Sequence, residues 1–205
     1  MRKWIGSICI FLGVVCILSA ISIAAYNRWE DENAQKHSRA LLKDVQNVIN
    51  EPQPEQLPPE DTGILPDDPK TVPADMATVE VNGYDCIGIL SVPVLDLELP
   101  VLTDWSYAKL KKAPCHYYGT YYEKDFVIAA HNYKSHFGRL SELQTGDLVI
   151  FTDVTGAARC YEVVLLETLP KEATREMIAS GFDLSLYTCT TGGASRITVR
   201  CNTIN

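Results

Sequence analysis

The sequence has fewer basic residues than acidic residues. Of its 205 residues, 18 are Lys or Arg and 26 are Asp or Glu, so the formal net charge is -8. Because binding to a polyanion needs clustered positive charge, this deficit disfavours nucleic acid as a partner. No segment repeats with a period of about 20–50 residues, which excludes solenoids and propellers. Hydrophobic residues make up 46% of the chain and charged residues 21%, a balance that disfavours wholesale disorder and a coiled coil.

The seven cysteines lack the spacing of a metal site. There is no C-x-x-C pair and no nearby pair of histidines, so we expect no structural zinc and no other cofactor. Five cysteines follow the apolar N-terminal segment: Cys86, Cys115, Cys160, Cys189 and Cys201. Because five is odd, at least one thiol outside the cytoplasm stays unpaired.

Residues 4–26 contain no charged side chain. About 20 apolar residues in a helix span a hydrocarbon core of about 30 Å, so this segment predicts a transmembrane helix. The alternative is a cleaved signal peptide, but its apolar core is usually only about 7–15 residues long. Basic residues precede the segment and acidic residues follow it, which predicts a cytoplasmic tip at residues 1–3. We therefore expect a single-pass protein of the cell membrane whose remaining residues are extracellular.

Two connecting segments follow the membrane span. Residues 27–50 place Ala34, Leu41 and Val45 on one face of a helix, which predicts an amphipathic helical stalk. Residues 51–76 contain seven of the eleven prolines and many acidic residues, which predicts a semi-rigid linker. The simpler interpretation of this linker is a domain boundary with no role beyond tethering.

Residues 77–205 are predicted to form one mainly β domain. Seven short apolar runs rich in β-branched residues predict strands of a barrel or sandwich: 86–92, 97–102, 126–130, 148–152, 160–166, 184–190 and 197–201. Two short helices are predicted at residues 105–111, with Asp104 as N-cap, and at 137–143. The sequence at 153–156 predicts a hairpin turn.

Three residues at strand ends form a candidate catalytic set. His131 follows one predicted strand, Cys189 closes another, and Arg196 opens the next. A cysteine nucleophile needs a base or an ion-pair partner, because a free thiol is only a few per cent ionised near neutral pH. Acyl transfer also needs donors directed at the developing oxyanion, and an arginine supplies them.

Residues 84–205 resemble the sortase family, cysteine transpeptidases of Gram-positive bacteria. The segment S-L-Y-T-C at 185–189 resembles the family motif T-L-x-T-C, and A-A-H at 129–131 resembles A-G-H. The segment R-I-T-V-R at 196–200 resembles the strand that carries the family arginine. Residues 87–94 and 113–120 resemble its opening strands and its A-P-G-H-Y-x-G-T segment. Ser185, Ala130 and Cys115 depart from the usual Thr, Gly and Gly, but none of these changes removes a reacting group.

This resemblance implies a closed β-barrel with short helices, preceded by a transmembrane helix and a linker. It implies that Cys189 attacks a C-terminal sorting motif, often of LPxTG type, in a secreted protein. The resulting thioester passes to an amine of the peptidoglycan precursor or cross-bridge. His131 and Arg196 take the roles of proton donor and oxyanion donor, while Thr188 and Thr190 are expected to help bind the substrate oxygen.

The resemblance also places the specificity loop of the family at residues 168–183. No second apolar span follows Cys201, so we expect a sortase outside the pilin-polymerising class.

Several alternatives remain at this point. His136 is the alternative base, Arg200 is the alternative arginine, and His116 is expected to be structural. A papain-like peptidase is disfavoured because there the cysteine precedes the histidine. A catalytically silent sortase-fold module, tethered to the membrane for binding or assembly, is the non-enzymatic alternative.

Overall fold

The computed structural model describes residues 2–50 and 76–204. Nearly all of the predicted linker, 51–76, lies outside the described residues. The chain divides into two compact units, Met1–Asn33 and Ala34–Asn205. The helix α1, Arg2–Asn50, contributes residues to both of them.

The first unit is helical. Within the described part of the chain, α1 is the one helix long and apolar enough to cross a membrane. In this unit the large apolar side chains that the structure describes are exposed, including Ile10, Phe11 and Leu18. The predicted span 4–26 lies inside this helix, and both the crossing of a membrane and its direction stay predictions.

The second unit is built around nine strands. They are β1 Val79–Val81, β2 Tyr84–Val92, β3 Leu97–Leu102, β4 Cys115–Tyr118, β5 Phe126–Ala129, β6 Leu148–Asp153, β7 Ala158–Pro170, β8 Leu184–Cys189 and β9 Ser195–Thr203. Their order is β1-β2-β3-β4-β5-β8-β9-β7-β6, and β6 also pairs with β2. This last pairing closes strands β2 to β9 into an eight-stranded barrel, which confirms the predicted fold class.

Apart from α1, the helices of this unit are short. They are α2 Tyr107–Leu110 and α3 Thr174–Ile178, with 3-10 turns at Pro93–Leu95 and Leu140–Glu142. The helix predicted at 105–111 is therefore shorter, and its N-cap is Ser106, whose hydroxyl accepts from the Lys109 amide at 3.2 Å. The helix predicted at 137–143 contains only a 3-10 turn. Strands β1 (V-E-V) and β4 (C-H-Y-Y) were not predicted, because each is short and contains a polar residue, whereas the equally short β5 (F-V-I-A) is an unbroken apolar run.

The strands carry apolar side chains on both faces. One buried cluster fills the barrel and includes Leu90, Phe126 and Phe151. Neighbouring positions such as Cys86 and Ile89 belong to a second buried cluster. The opposite faces of one strand thus serve two different cores, as the alternation of side chains along a strand requires.

The second cluster includes side chains of α1. Leu41 and Val45 pack there with strand residues such as Leu102 and Cys115. Polar contacts add to this packing: the Asn82 amide donates to Asp44 at 2.6 Å, and the Lys112 ammonium lies 2.9 Å from the His37 ring. Residues 34–50 therefore belong to the same compact unit as the barrel. The assignment of 27–50 as an amphipathic helical stalk stays a prediction. The amphipathic face was visible in the sequence, but the surface that covers it was not.

Candidate active site

Two parallel strands bring His131 and Cys189 to the same end of the barrel. Strand β5 pairs with β8 in a register that matches Ala129 with Tyr187. His131 and Cys189 each lie two residues beyond this pair. Because parallel strands run in the same direction, both side chains leave the sheet at one edge and at the same level.

The antiparallel partner of β8 brings in the arginine. Cys189 pairs directly with Arg196 on β9. Directly opposed residues of an antiparallel pair project their side chains to the same face, so the guanidinium lies on the face of the thiol. The connection between them turns at Gly192 and Gly193, whose φ angles of 86° and 73° lie in the left-handed region that favours glycine.

His131, Cys189 and Arg196 line one groove. This is the set that the sequence predicted, and the structure places all three members together. Lys171 also lines the groove, and no Asp or Glu does among the residues that the structure describes. The Lys171 ammonium lies 3.7 Å from the Glu172 carboxylate, so Arg196 is the cation of the lining that best suits a developing oxyanion.

One side of the groove is aromatic. The aromatic wall consists of Trp105, Tyr107, Tyr117 and Tyr187. Ring centroids are 5.9 Å apart for Trp105 and Tyr107, 5.7 Å for Trp105 and Tyr117, and 5.3 Å for Tyr117 and Tyr187. Burial raises the pKa of the Tyr187 hydroxyl, so it stays a neutral hydrogen-bonding group. One pattern in the sequence points to this wall: aromatic residues lie at the start of a short helix and after its end.

The other side of the groove is formed by the segment that carries α3. The α3 wall consists of Pro170, Lys171, Ala173, Thr174 and Met177. These residues lie within the segment 168–183, which the resemblance gave as the specificity loop. Helix α3 itself was not predicted from the sequence.

The two threonines expected at the substrate oxygen have other partners. The Thr188 side chain is buried, and its hydroxyl donates to the Ala130 carbonyl at 2.8 Å. The backbone N–H of Thr190 donates to the Ser195 carbonyl at 3.0 Å. Neither threonine lines the groove. Thr188 thus links the cysteine strand to the residue before His131, and the predicted role of both threonines at the substrate oxygen is not supported by this geometry.

The alternative site residues lie away from the groove. His136 is fully buried and is not part of the groove lining. His116 is also buried, with its ring nitrogens 3.0 Å from the Thr103 carbonyl and 2.7 Å from the Gly119 carbonyl, in keeping with a structural role. Arg200 is buried and forms an ion pair with Glu167 at 2.8 Å. The groove therefore favours His131 and Arg196 over these alternatives.

Three of the other thiols are more deeply buried than Cys189. Burial raises the pKa of Cys86, Cys115 and Cys201 to about 12, so these three remain protonated at neutral pH. A protonated buried thiol is a poor nucleophile. Cys160 on β7 is partly exposed, like Cys189, but it does not line the groove. All of these cysteines are free thiols.

Comparison with known protein families identifies the family of this chain. The model of the sortase domain matches residues 90–204, more than half of the chain. The chain belongs to the sortase family. No curated protein matches it.

Solved sortase structures resemble this sortase at low sequence identity. Sortase A from Corynebacterium diphtheriae is 22% identical with a TM-score of 0.54, over 60% of this chain and 62% of that one. Sortase C2 of Pilus Island 1 from Group B Streptococcus is 25% identical with a TM-score of 0.53, over 62% and 77%. Sortase C from Clostridium perfringens SM101 is 19% identical with a TM-score of 0.53, over 90% and 98%.

These similarities concern the fold more than the subclass. This sortase spans less than two thirds of the Corynebacterium diphtheriae chain. Sortases named A and C resemble it with nearly equal TM-scores, so the fold does not separate the subclasses. The expectation of a sortase outside the pilin-polymerising class is not confirmed by them.

Proposed function

We propose that this sortase is a cysteine transpeptidase that cleaves a C-terminal sorting motif of LPxTG type in secreted proteins. It then joins the cleaved protein to an amine of the peptidoglycan precursor or cross-bridge. The observation that carries this proposal is the convergence of His131, Cys189 and Arg196 in one groove.

In the first step, Cys189 loses its proton to His131, and its sulfur attacks the carbonyl carbon of the scissile peptide bond. The carbonyl oxygen becomes an oxyanion that accepts hydrogen bonds from the Arg196 guanidinium. The protonated His131 then gives its proton to the leaving amine, the C–N bond breaks, and a thioester remains on Cys189.

In the second step, the amine of the cell-wall acceptor attacks the thioester carbon. His131 takes the proton from the incoming nitrogen, and Arg196 again donates to the oxyanion. The C–S bond breaks, a new amide is formed, and the thiol of Cys189 recovers its proton from His131. Cys189, His131 and Arg196 thus end the cycle in the protonation states in which they began.

The present contacts of Arg196 are compatible with this role. Its Nη1 donates to the Gly193 and Ser195 carbonyls, both at 3.2 Å. These bonds hold the guanidinium at the turn that follows Cys189. They occupy one nitrogen of a group that has five N–H donors, so donors remain for a substrate oxygen.

The proposed location follows from the charges around the N-terminal segment. Residues 1–3 are cytoplasmic, residues 4–26 cross the cell membrane, and the barrel faces the cell wall outside. We assign this sortase to the anchoring of proteins rather than to pilin polymerisation. Residues 51–76 connect α1 to the barrel as a linker in this proposal.

The experiment uses the full chain in detergent, a panel of sorting-motif peptides, and an amine acceptor. We expect one peptide to be cleaved at its motif and its N-terminal part to appear joined to the acceptor by an amide. The matched control is the same reaction after alkylation of the enzyme, which is expected to give no product. No turnover of any peptide together with a Cys189 that is inert toward an alkylating agent would instead support a silent binding module.

A further inference from the structure

The residues of the α3 wall do little to stabilise its position by themselves. Helix α3 has five residues, and no side chain caps its N-terminus at Ala173. One turn of helix is unstable by itself, because nucleation costs more than a single hydrogen bond returns. Contacts from elsewhere in the fold must therefore fix the place of Thr174 and Met177 in the groove.

The first set of such contacts comes from Arg200. Its guanidinium is buried and donates to the Glu176 carbonyl at 2.7 Å and to the Met177 carbonyl at 3.4 Å. The same group donates to the Ser185 hydroxyl on β8 at 2.8 Å. Glu167 on β7 balances its charge at 2.8 Å. One side chain thus ties the α3 wall to the strand that ends in Cys189.

The second set comes from Asp125. Its carboxylate accepts from the Ser180 amide at 2.7 Å, the Ser180 hydroxyl at 2.8 Å and the Gly181 amide at 2.8 Å. Its own backbone amide donates to the Phe182 carbonyl at 2.7 Å. Asp125 directly precedes β5, the strand that leads to His131. The segment leaving α3 is therefore bound to the start of the histidine strand.

We propose that Arg200 and Asp125 are positioning residues that hold the α3 wall against the two catalytic strands and so set the fit of the groove to the sorting peptide. Neither side chain lines the groove or reaches the reacting atoms. Replacing either residue is expected to let the α3 wall occupy a wider range of positions. This weakens peptide binding but leaves the chemistry at Cys189 intact. This inference rests on the proposed function.

The test compares Asp125→Ala with Asp125→Asn and with Glu123→Ala in the full chain. Glu123 is exposed and lies two residues from Asp125, so its replacement removes the same charge without touching the α3 wall. We expect Asp125→Ala to raise the KM for the sorting peptide about 10-fold with kcat changed less than about 3-fold. Asparagine keeps an acceptor oxygen, so Asp125→Asn is expected to restore most of the binding.

Two further readouts separate positioning from a general loss of structure. The pH profile of Cys189 alkylation is expected to be the same in wild type and Asp125→Ala. Hydrogen exchange at the Met177 and Ala179 amides is expected to be about 10-fold faster in the variant, while the β8 amides stay protected. Arg200→Lys keeps the charge but not the fork of donors, and it is expected to show the same pattern.

The outcomes distinguish this proposal from the proposed function. A fall in kcat at unchanged KM, an altered alkylation profile, or unchanged exchange in α3 would overturn the positioning role. Faster exchange throughout the barrel would also overturn it, because it would show that Asp125 maintains the whole fold. If no peptide reacts with the wild type, the proposed function fails, and the exchange measurement still decides whether Asp125 holds α3.

Discussion

A Cys189→Ala variant is expected to lose about 10⁴-fold or more in the kcat/KM of peptide cleavage. The methyl group supplies no nucleophile, so no thioester forms and the two-step route is closed. The buried thiols of Cys86, Cys115 and Cys201 cannot replace it, because burial raises the pKa of each to about 12. The measurement is the rate of peptide cleavage by the full chain in detergent.

The matched control for this prediction is Cys160→Ala. Cys160 is also partly exposed but lies on β7 and outside the groove lining. Its replacement is expected to leave the rate within about 2-fold of wild type, since surface substitutions away from special features have small effects. Comparable losses in the two variants would contradict the assignment of Cys189 as the nucleophile.

A Leu41→Ala variant is expected to lower the free energy of unfolding by about 2–5 kcal/mol. Leu41 is buried among strand residues in the second apolar cluster, so its truncation leaves a cavity in that cluster. Val45 occupies the same cluster and is fully buried, so Val45→Ala is expected to act in the same direction. The measurement is urea unfolding of the full chain in detergent, followed by near-ultraviolet circular dichroism.

The control is Lys43→Ala, two residues along the same helix. Lys43 is exposed, so its replacement is expected to change the free energy of unfolding by no more than about 0.5 kcal/mol. Equal effects at Leu41 and Lys43 would show that residues 34–50 act as a separate stalk. The same packing predicts that a fragment beginning at residue 77 exposes the apolar face that Leu41 and Val45 cover.

The sequence predicted the barrel well because most strands are long enough to show their pattern. All seven predicted runs overlap observed strands, and the predicted hairpin joins β6 to β7. The missed elements β1, β4 and α3 have three to five residues and draw their stability from neighbours. The residues that hold α3, such as Arg200, are distant along the chain, so no local pattern reports them. Strand β1 differs, because it pairs with β2 across the two-residue turn at Asn82 and Gly83, a hairpin signal that the sequence does contain.

The candidate site also has features that the sequence predicted and features that it did not. The positions of His131, Cys189 and Arg196 at strand ends were readable from motifs, and the register of β5, β8 and β9 places them in one groove. The partners of the Thr188 hydroxyl and the Thr190 backbone N–H could not be predicted, because either donor can equally bind a substrate oxygen or a backbone carbonyl. The contacts of Arg200 with α3 depend on an element that the sequence did not predict.

The position of the acyl group on the enzyme shows directly whether Cys189 is the nucleophile. The full chain is mixed with a reactive sorting peptide without an amine acceptor, quenched in acid, digested, and analysed by fragment mass spectrometry. We predict a thioester-linked peptide fragment on Cys189 that disappears when the amine acceptor is added before the quench. An acyl group on Cys160 or on any other residue, or cleavage of the peptide with no acyl-enzyme at any time, would contradict the account.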